Sequence, residues 1–104
     1  MKFGLSEDEQ LKIKSVFMKY PQIQSVTIYG SRSMGNYKTG SDIDLTIKGD
    51  GLNLQLLCKI NNDLDDLFLP YKFDISFFQD INNLELIDHI HRRGQIFYDS
   101  KSIG

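Results

Sequence analysis

Residues 25–48 read SVTIYGSRSMGNYKTGSDIDLTIK. Apolar and polar side chains alternate over residues 25–29, and β-branched residues dominate the segment, which predicts a β-strand. The same alternation over residues 42–48 predicts a second strand. Three of the eight glycines lie between residues 30 and 40, so this segment is expected to form a loop with room for one helical turn. The stretch therefore predicts two consecutive strands joined by a glycine-rich connection.

A helix is predicted before the first strand. Ser6 and Glu9 match the S-x-x-E capping box, which places the start of the helix at Glu7. Four apolar or aromatic residues then follow at i, i+3, i+4 and i+7: Ile13, Val16, Phe17 and Tyr20. Pro21 ends the helix, because proline cannot continue its hydrogen bonds.

The rest of the chain predicts two further helices and two further strands. A second long helix carries an apolar pattern of six residues and ends before Pro70. These six are Leu54, Leu57, Cys58, Leu64, Leu67 and Phe68. Alternation over residues 71–78 predicts a third strand. A last helix, capped by Asn82 or Asn83, precedes a short fourth strand over residues 95–98.

Length, composition and element order together predict an α/β fold. The 104 residues fit one compact domain, residues 1–104, in which helices pack on a small mixed sheet. The formal net charge is −2, and no basic face is evident, so extended nucleic acid is not expected as a partner. The N-terminus is polar and the apolar runs are short, which predicts a cytoplasmic protein without a signal peptide or membrane span. The single cysteine, Cys58, excludes an intrachain disulfide and is expected to be buried.

The first candidate binding feature is the glycine-rich connection. Gly30 and Ser31 follow directly on the first strand, where the backbone can approach a ligand closely and offer N–H groups and a hydroxyl. Turns of this kind bind phosphate oxygens. Arg32 adds a cation within reach of the same ligand. Residues 30–32 therefore predict a phosphate-binding turn.

The second candidate feature is a set of carboxylates. Asp42 and Asp44 are two residues apart on a strand, so they project from one face with their backbones about 6.6 Å apart. Carboxylates on one face repel unless a cation lies between them, and such oxygen ligands suit Mg²⁺. If the third strand lies beside the second, Asp74 completes a cluster that can hold two metal ions about 3.5–4 Å apart.

Other polar and aromatic residues have simpler interpretations. His89 and His91 face different directions on the last helix and are expected to be solvated or to cap it. Arg92 and Arg93 lie in its last turn, where cations complement the helix dipole. Three tyrosines are candidates for a base pocket, the first of them also for the core: Tyr29, Tyr37 and Tyr71.

The motif G-S-x-x-x-G followed by S-D-I-D-L, over residues 30–45, resembles the signature of the DNA polymerase β-like nucleotidyltransferases. The chain is especially similar to the minimal nucleotidyltransferases, or MNT proteins, of that superfamily. Asp74, in Lys72-Phe73-Asp74-Ile75, matches the distal acid of the pattern. With the order of elements, the resemblance spans most of the chain and implies transfer of a nucleoside monophosphate to an acceptor hydroxyl.

The resemblance also implies a role for each matching residue. Gly30 and Ser31 would hold the β- and γ-phosphates of the donor, ATP. Asp42 and Asp44 would ligate two Mg²⁺ ions. Asp74 would ligate the catalytic metal ion and help to deprotonate the acceptor hydroxyl.

The acceptor and the partner follow from the resemblance alone. Stand-alone MNT proteins typically pair with a helical HEPN protein in toxin–antitoxin systems, and the MNT antitoxin adenylylates a tyrosine of the HEPN ribonuclease. A HEPN partner is therefore expected, and a second copy of the chain is the other candidate to supply the acceptor-binding surface. Three alternatives remain open at this point: transfer to a small molecule such as an aminoglycoside, neutralisation of a partner by binding alone, and a coincidental match on an unrelated α/β domain.

Overall fold

The computed structural model describes residues 2–38 and 40–101. Within these residues the chain forms four helices and a four-stranded sheet, which confirms the predicted fold class. The elements are α1 (Glu7–Met18), β1 (Ile23–Tyr29), α2 (Ser31–Met34), β2 (Ile43–Gly49), α3 (Leu54–Asp65), β3 (Phe73–Phe77), α4 (Leu84–Arg93) and β4 (Gln95–Asp99). A short 3₁₀ helix, Phe78–Asp80, follows β3.

The sheet is mixed and has the strand order β3-β2-β1-β4. The central strand β1 pairs antiparallel with both β2 and β4. Strand β2 pairs parallel with β3, and the crossover between them is α3. This parallel pairing brings β3 beside β2, which the alternation of its side chains alone could not establish.

One face of the sheet packs against α1 and α3 to form the hydrophobic core. The capping box of α1 is present: the Glu9 N–H donates to Ser6 Oγ, and the Ser6 N–H donates to Glu9 Oε1. Three residues of the predicted stripe, Ile13, Val16 and Phe17, are buried, whereas Tyr20 is half-buried and lies beyond the end of α1. The strands contribute six fully buried side chains to this core: Ile23, Val26, Ile28, Ile43, Leu45 and Ile47. Alternation therefore leaves the residues between them on the opposite face.

The buried stripe of α3 differs from the predicted one. Of the six predicted residues, Leu64 is buried and Leu57 and Leu67 pack partly buried against the core. Leu54 is 73% exposed, Phe68 is 89% exposed and Cys58 is exposed, and Leu56 and Ile60 are buried instead. The helix is rich in leucine, so two stripes fit its period. The Asn53 side chain caps the Leu56 N–H and begins the helix, and the packing of α3 against α1 and β3 buries the stripe that contains Leu56 and Ile60. The expectation that Cys58 is buried was therefore wrong.

The opposite face of the sheet is polar and lies against α4. Thr27, Tyr29, Asp44 and Thr46 belong to this face, and the ring of Tyr29 contacts that of His89 on α4. Thr46 is fully buried, and its Oγ1 has no hydrogen-bond partner among the described residues. None of the described helices is long and apolar enough to cross a lipid bilayer.

Candidate active site

Three functional side chains lie in one row across the sheet. Tyr29 on β1 is opposite Asp44 on β2, and Asp44 is opposite Asp74 on β3. Residues opposite one another on adjacent strands project from the same face, so the carboxylates of Asp44 and Asp74 are direct neighbours. The structure thus brings together the two strand-borne acids that the sequence singled out.

The third acid, Asp42, lies just outside the strand. It is exposed and precedes Ile43, the first residue of β2. The N–H of Ile43 donates to the carbonyl of Lys72 at 2.8 Å, which ties the start of β2 to the segment leading into β3. Asp42 therefore lies at the edge of the row.

The Gly30–Ser31 turn lies directly above this row of acids. Gly30 has φ +78° and precedes α2, a single helical turn that starts at Ser31. A Cβ at Gly30 would collide with Oδ2 of Asp44. The Gly30 carbonyl accepts hydrogen bonds from the Met34 N–H at 3.2 Å and from Ser33 Oγ at 2.9 Å. The predicted phosphate-binding turn and the predicted acid pair are therefore in van der Waals contact.

The electrostatics of the row are unfavourable for the ionised acids. Partial burial raises the pKa of Asp44, and the negative charges of Asp74 and Asp42 raise it further. Arg32 and His89 act in the opposite direction but do not cancel the effect. The row therefore concentrates negative charge that a cation would stabilise.

Asp44 and Asp74 are the carboxylates best placed to hold Mg²⁺. No group of three histidine, cysteine, aspartate or glutamate side chains in residues 2–38 and 40–101 is arranged to hold a metal ion. Mg²⁺ commonly binds through one or two carboxylates, with water and substrate phosphates as the other ligands. Two crowded carboxylates beside a phosphate-binding turn fit that requirement, and the remaining ligands would come from the nucleotide.

Arg32 does not face this row. Its side chain is only 3% exposed, and its N–H groups donate to the carbonyls of Ser41 and Phe3. The rings of Tyr37 and Tyr71 lie 5.3 Å and 4.9 Å from the guanidinium carbon. This geometry gives no support to a direct contact between Arg32 and phosphate, and it makes Tyr37 and Tyr71 neighbours of the guanidinium. Tyr29, by contrast, is buried on the polar face of the sheet against His89 and lies outside the hydrophobic core cluster.

His89 is the contact that sequence reasoning missed. It is half-buried, and its Nε2 accepts a hydrogen bond from the Gly30 N–H at 3.1 Å. The expectation of a solvated or capping histidine was wrong for His89, although His91 is exposed. His89 precedes Ile90, the buried residue of α4, and follows Leu86 by three positions. That spacing places it on the buried side of the helix and could have signalled the contact.

The nucleotidyltransferase family model named Polymerase beta matches residues 11–103. Among curated proteins, none matches the chain significantly. A chain of a toxin–antitoxin complex with AMP-PNP is similar in structure, with a TM-score of 0.72 and 18% identity over 88% of this chain and 74% of that chain.

Two further solved structures are similar. A chain of the MntA–HepT toxin–antitoxin complex has a TM-score of 0.68 and 14% identity, covering 92% of this chain and 74% of that chain. A chain of the complex between a tri-AMPylated Shewanella oneidensis HEPN toxin and its MNT antitoxin has a TM-score of 0.60 and 15% identity, covering 88% and 74%. At these identities the similarity shows a shared fold.

Proposed function

The chain belongs to the Polymerase beta family of nucleotidyltransferases, and we propose that it transfers AMP from ATP to a tyrosine hydroxyl of a HEPN-type partner. In this proposal residues 1–104 act as one minimal nucleotidyltransferase domain and serve as the antitoxin of a toxin–antitoxin pair. The reaction would take place in the cytoplasm, where ATP is available.

The observation that carries the proposal is the contact between the Gly30–Ser31 turn and the acid row, which consists of Asp44 and Asp74 with Asp42 at its edge. Asp44 and Asp74 are register partners, and the turn leaves no room for a methyl group above Asp44. A triphosphate held by the turn would therefore present its α-phosphate close to two carboxylates. This arrangement suits transfer at phosphorus, where positioning and charge neutralisation supply most of the rate.

The reaction is an in-line displacement at the α-phosphorus of ATP. The acceptor oxygen forms a bond to that phosphorus while the bond to the bridging oxygen breaks, and pyrophosphate leaves. Asp74 is exposed, so an acceptor can reach it, and its carboxylate accepts the proton of the attacking hydroxyl. The N–H and hydroxyl of Ser31 would hold the β- and γ-phosphates, and Gly30, whose N–H already donates to His89, would let them approach closely. Asp44 and Asp74, with Asp42 at the edge of the row, would hold two Mg²⁺ ions only together with the nucleotide phosphates, because the three acids alone do not form a metal site in the described residues. The ions would supply neutralising positive charge when bound.

The choice of ATP and of a HEPN partner is supported by the structural relatives. One was solved with AMP-PNP, an ATP analogue, and another is in complex with a tri-AMPylated HEPN toxin. A partner surface would supply acceptor recognition. The geometry of the acid row fits any hydroxyl acceptor equally well, so the partner is the part of the proposal that most needs a direct test.

The test is incubation of the purified chain with Mg²⁺, labelled ATP and the HEPN protein encoded beside it or purified with it. Intact mass of the partner is measured before and after. A rise by the mass of one or more AMP groups, lost in Asp44→Asn, is the expected result. Tight complex formation and ATP binding without transfer would contradict it and favour neutralisation by binding alone. Transfer to an aminoglycoside but not to the partner would favour the small-molecule alternative.

A further inference from the structure

Arg32 is a buried cation whose position the phosphate-binding role does not explain. It forms no ion pair with any carboxylate in the described part of the chain. Burying an unpaired charge is costly unless its hydrogen bonds are satisfied. Here hydrogen bonds to two backbone carbonyls and the faces of two tyrosine rings offset that cost.

The guanidinium of Arg32 donates two of its hydrogen bonds to the carbonyl of Ser41. Nε donates to this oxygen at 3.1 Å and Nη2 donates to it at 2.8 Å. One carbonyl therefore accepts two hydrogen bonds from the same planar guanidinium group. The carbonyl of Ser41 belongs to the peptide group that it shares with Asp42. Because a peptide group is planar and rigid, fixing its oxygen also fixes the α-carbon of Asp42.

The other end of the same side chain is tied to the phosphate-binding turn. Arg32 follows Ser31 in α2, so its backbone moves with the turn. Nη1 donates to the Phe3 carbonyl at 2.9 Å, which anchors the guanidinium to the N-terminal segment. Tyr71 stacks on the guanidinium, and its hydroxyl donates to Glu9 of α1 at 3.2 Å. The guanidinium is therefore fixed by two independent contacts, the Phe3 carbonyl and the ring of Tyr71.

We infer that Arg32 is a positioning residue that fixes the Ser41–Asp42 peptide relative to the Gly30–Ser31 turn. The inference rests on the proposed function for the identity of the ligand, since Asp42 is there one of the acids that would hold Mg²⁺. The buried guanidinium of Arg32 sets the distance between the Gly30–Ser31 turn and Asp42 before any ligand binds. Asp42 needs this additional support because it lies outside β2. It lacks the backbone hydrogen bonds between β2 and β3 that orient Asp44 and Asp74.

The first measurement is amide hydrogen exchange in the isolated protein, which requires no activity. The Ser41 N–H donates to the Lys38 carbonyl at 2.9 Å, and the Lys38 N–H donates to Ser41 Oγ at 2.8 Å. In Arg32→Lys these two amides should exchange about tenfold faster than in the wild type, because an ammonium group cannot form the paired hydrogen bonds of the guanidinium with the Ser41 carbonyl. The Mg²⁺ concentration needed for half-maximal AMP-PNP binding, measured by calorimetry, should also rise about tenfold.

The matched control is Tyr20→Phe, which removes the hydrogen bond from the Tyr20 hydroxyl to Asp63 between α1 and α3. It lowers stability away from the site, so it should leave the loop amides and the Mg²⁺ requirement unchanged once exchange is corrected for global stability. If Arg32→Lys fails to fold, Tyr37→Leu removes one ring from the guanidinium at a partly exposed position and should show the same two effects.

Two outcomes would overturn the inference. The first is that the Lys38 and Ser41 amides exchange at the wild-type rate in both Arg32→Lys and Tyr37→Leu, after correction for stability. This result would show that the guanidinium does not fix the loop. Unchanged exchange with weaker nucleotide binding even in the absence of Mg²⁺ would make Arg32 a direct phosphate ligand. A failure of the proposed function appears separately, as a wild-type protein that transfers no AMP although the loop amides respond to Arg32→Lys.

Discussion

The α-carbon of Gly30 lies so close to the carboxylate of Asp44 that a methyl group at position 30 would collide with Oδ2. This contact joins the phosphate-binding turn to the acid row without any intervening side chain. In the proposed reaction the turn would place a phosphate beside the acids, which it can do only because residue 30 lacks a Cβ and has φ +78°. The glycine is therefore required by the geometry of the site as well as by the backbone.

Gly30→Ala should lower the rate of nucleotidyl transfer about a hundredfold. The new methyl group must displace the Asp44 carboxylate or shift the turn, and a displacement of about 1 Å costs about a hundredfold in rate. The control is Gly35→Ala, which also has a positive φ, +83°, but whose Cβ meets nothing within 4 Å. Gly35→Ala adds a backbone strain of about 1–2 kcal/mol in the left-handed helical region, whereas Gly30→Ala adds up to about 3 kcal/mol, because φ +78° with ψ −155° is accessible essentially only to glycine. Equal loss of turnover in the two variants would show that strain, and not the collision, is responsible.

Asp44→Asn and Asp74→Asn should each lower turnover by a hundredfold or more, equivalent to about 3 kcal/mol in the activation barrier. Each removes one of the paired carboxylates, which would weaken Mg²⁺ binding and, for Asp74, remove the proton acceptor. Single-turnover assays at saturating ATP and partner measure the effect. Asp65→Asn, an exposed acid at the end of α3, is the control and should keep wild-type turnover. Wild-type rates in both site variants would rule out the acid row as the catalytic centre.

The raised pKa of Asp44 predicts how stability depends on pH. Its pKa in the folded state lies above the ordinary value of 3.8, chiefly because of burial. The folded state therefore binds this proton more tightly, and the resulting stabilisation is complete below 3.8 and is lost as pH rises through the folded pKa. Asp44→Asn removes this loss.

Urea unfolding in metal-free buffer between pH 3 and pH 8 tests this expectation. The free energy of unfolding of Asp44→Asn, relative to the wild type, should increase as pH rises from 3.8 through the folded pKa and then remain level. A relative stability that decreases over this range would mean that the Asp44 carboxylate is stabilised, not destabilised, by its surroundings.

Much of the site could be predicted because it depends on period-2 alternation. Alternation places Asp44 and Asp74 on the polar faces of their strands whatever the rest of the fold does. Their adjacency required the strand order, for which the family resemblance supplied the expectation. The loop after β1 was predictable from its glycines, and the collision between Gly30 and Asp44 was not, because it depends on the packing of two strands.

The features that sequence reasoning missed are those decided by tertiary packing. Arg32 sits beside the phosphate-binding turn in sequence, but hydrogen bonds to carbonyls of distant segments turn its side chain inward. The leucine-rich α3 offers two apolar stripes, and local pattern does not choose between them. His89 reaches the turn because α4 packs on the polar face of the sheet, which is a long-range relationship.

The hydrogen bond between His89 and Gly30 predicts that phenylalanine and glutamine at position 89 have different effects. His89→Phe keeps a ring against Tyr29 but leaves the Gly30 N–H without its acceptor. Loss of that hydrogen bond costs about 1–2 kcal/mol in the orientation of the turn, so the KM for ATP should rise about tenfold with little change in kcat. His89→Gln can place Oε1 near the position of Nε2 and should retain a KM close to that of the wild type.

Steady-state kinetics with varied ATP distinguish this role from simple packing. His91→Phe is the control on the same helix, since His91 is exposed and its ring contacts Phe78 away from the turn. A KM in His89→Gln as high as in His89→Phe would show that the acceptor atom is not what orients Gly30. Recovery in the glutamine variant alone would establish that α4 sets the affinity for ATP through one hydrogen bond to the turn.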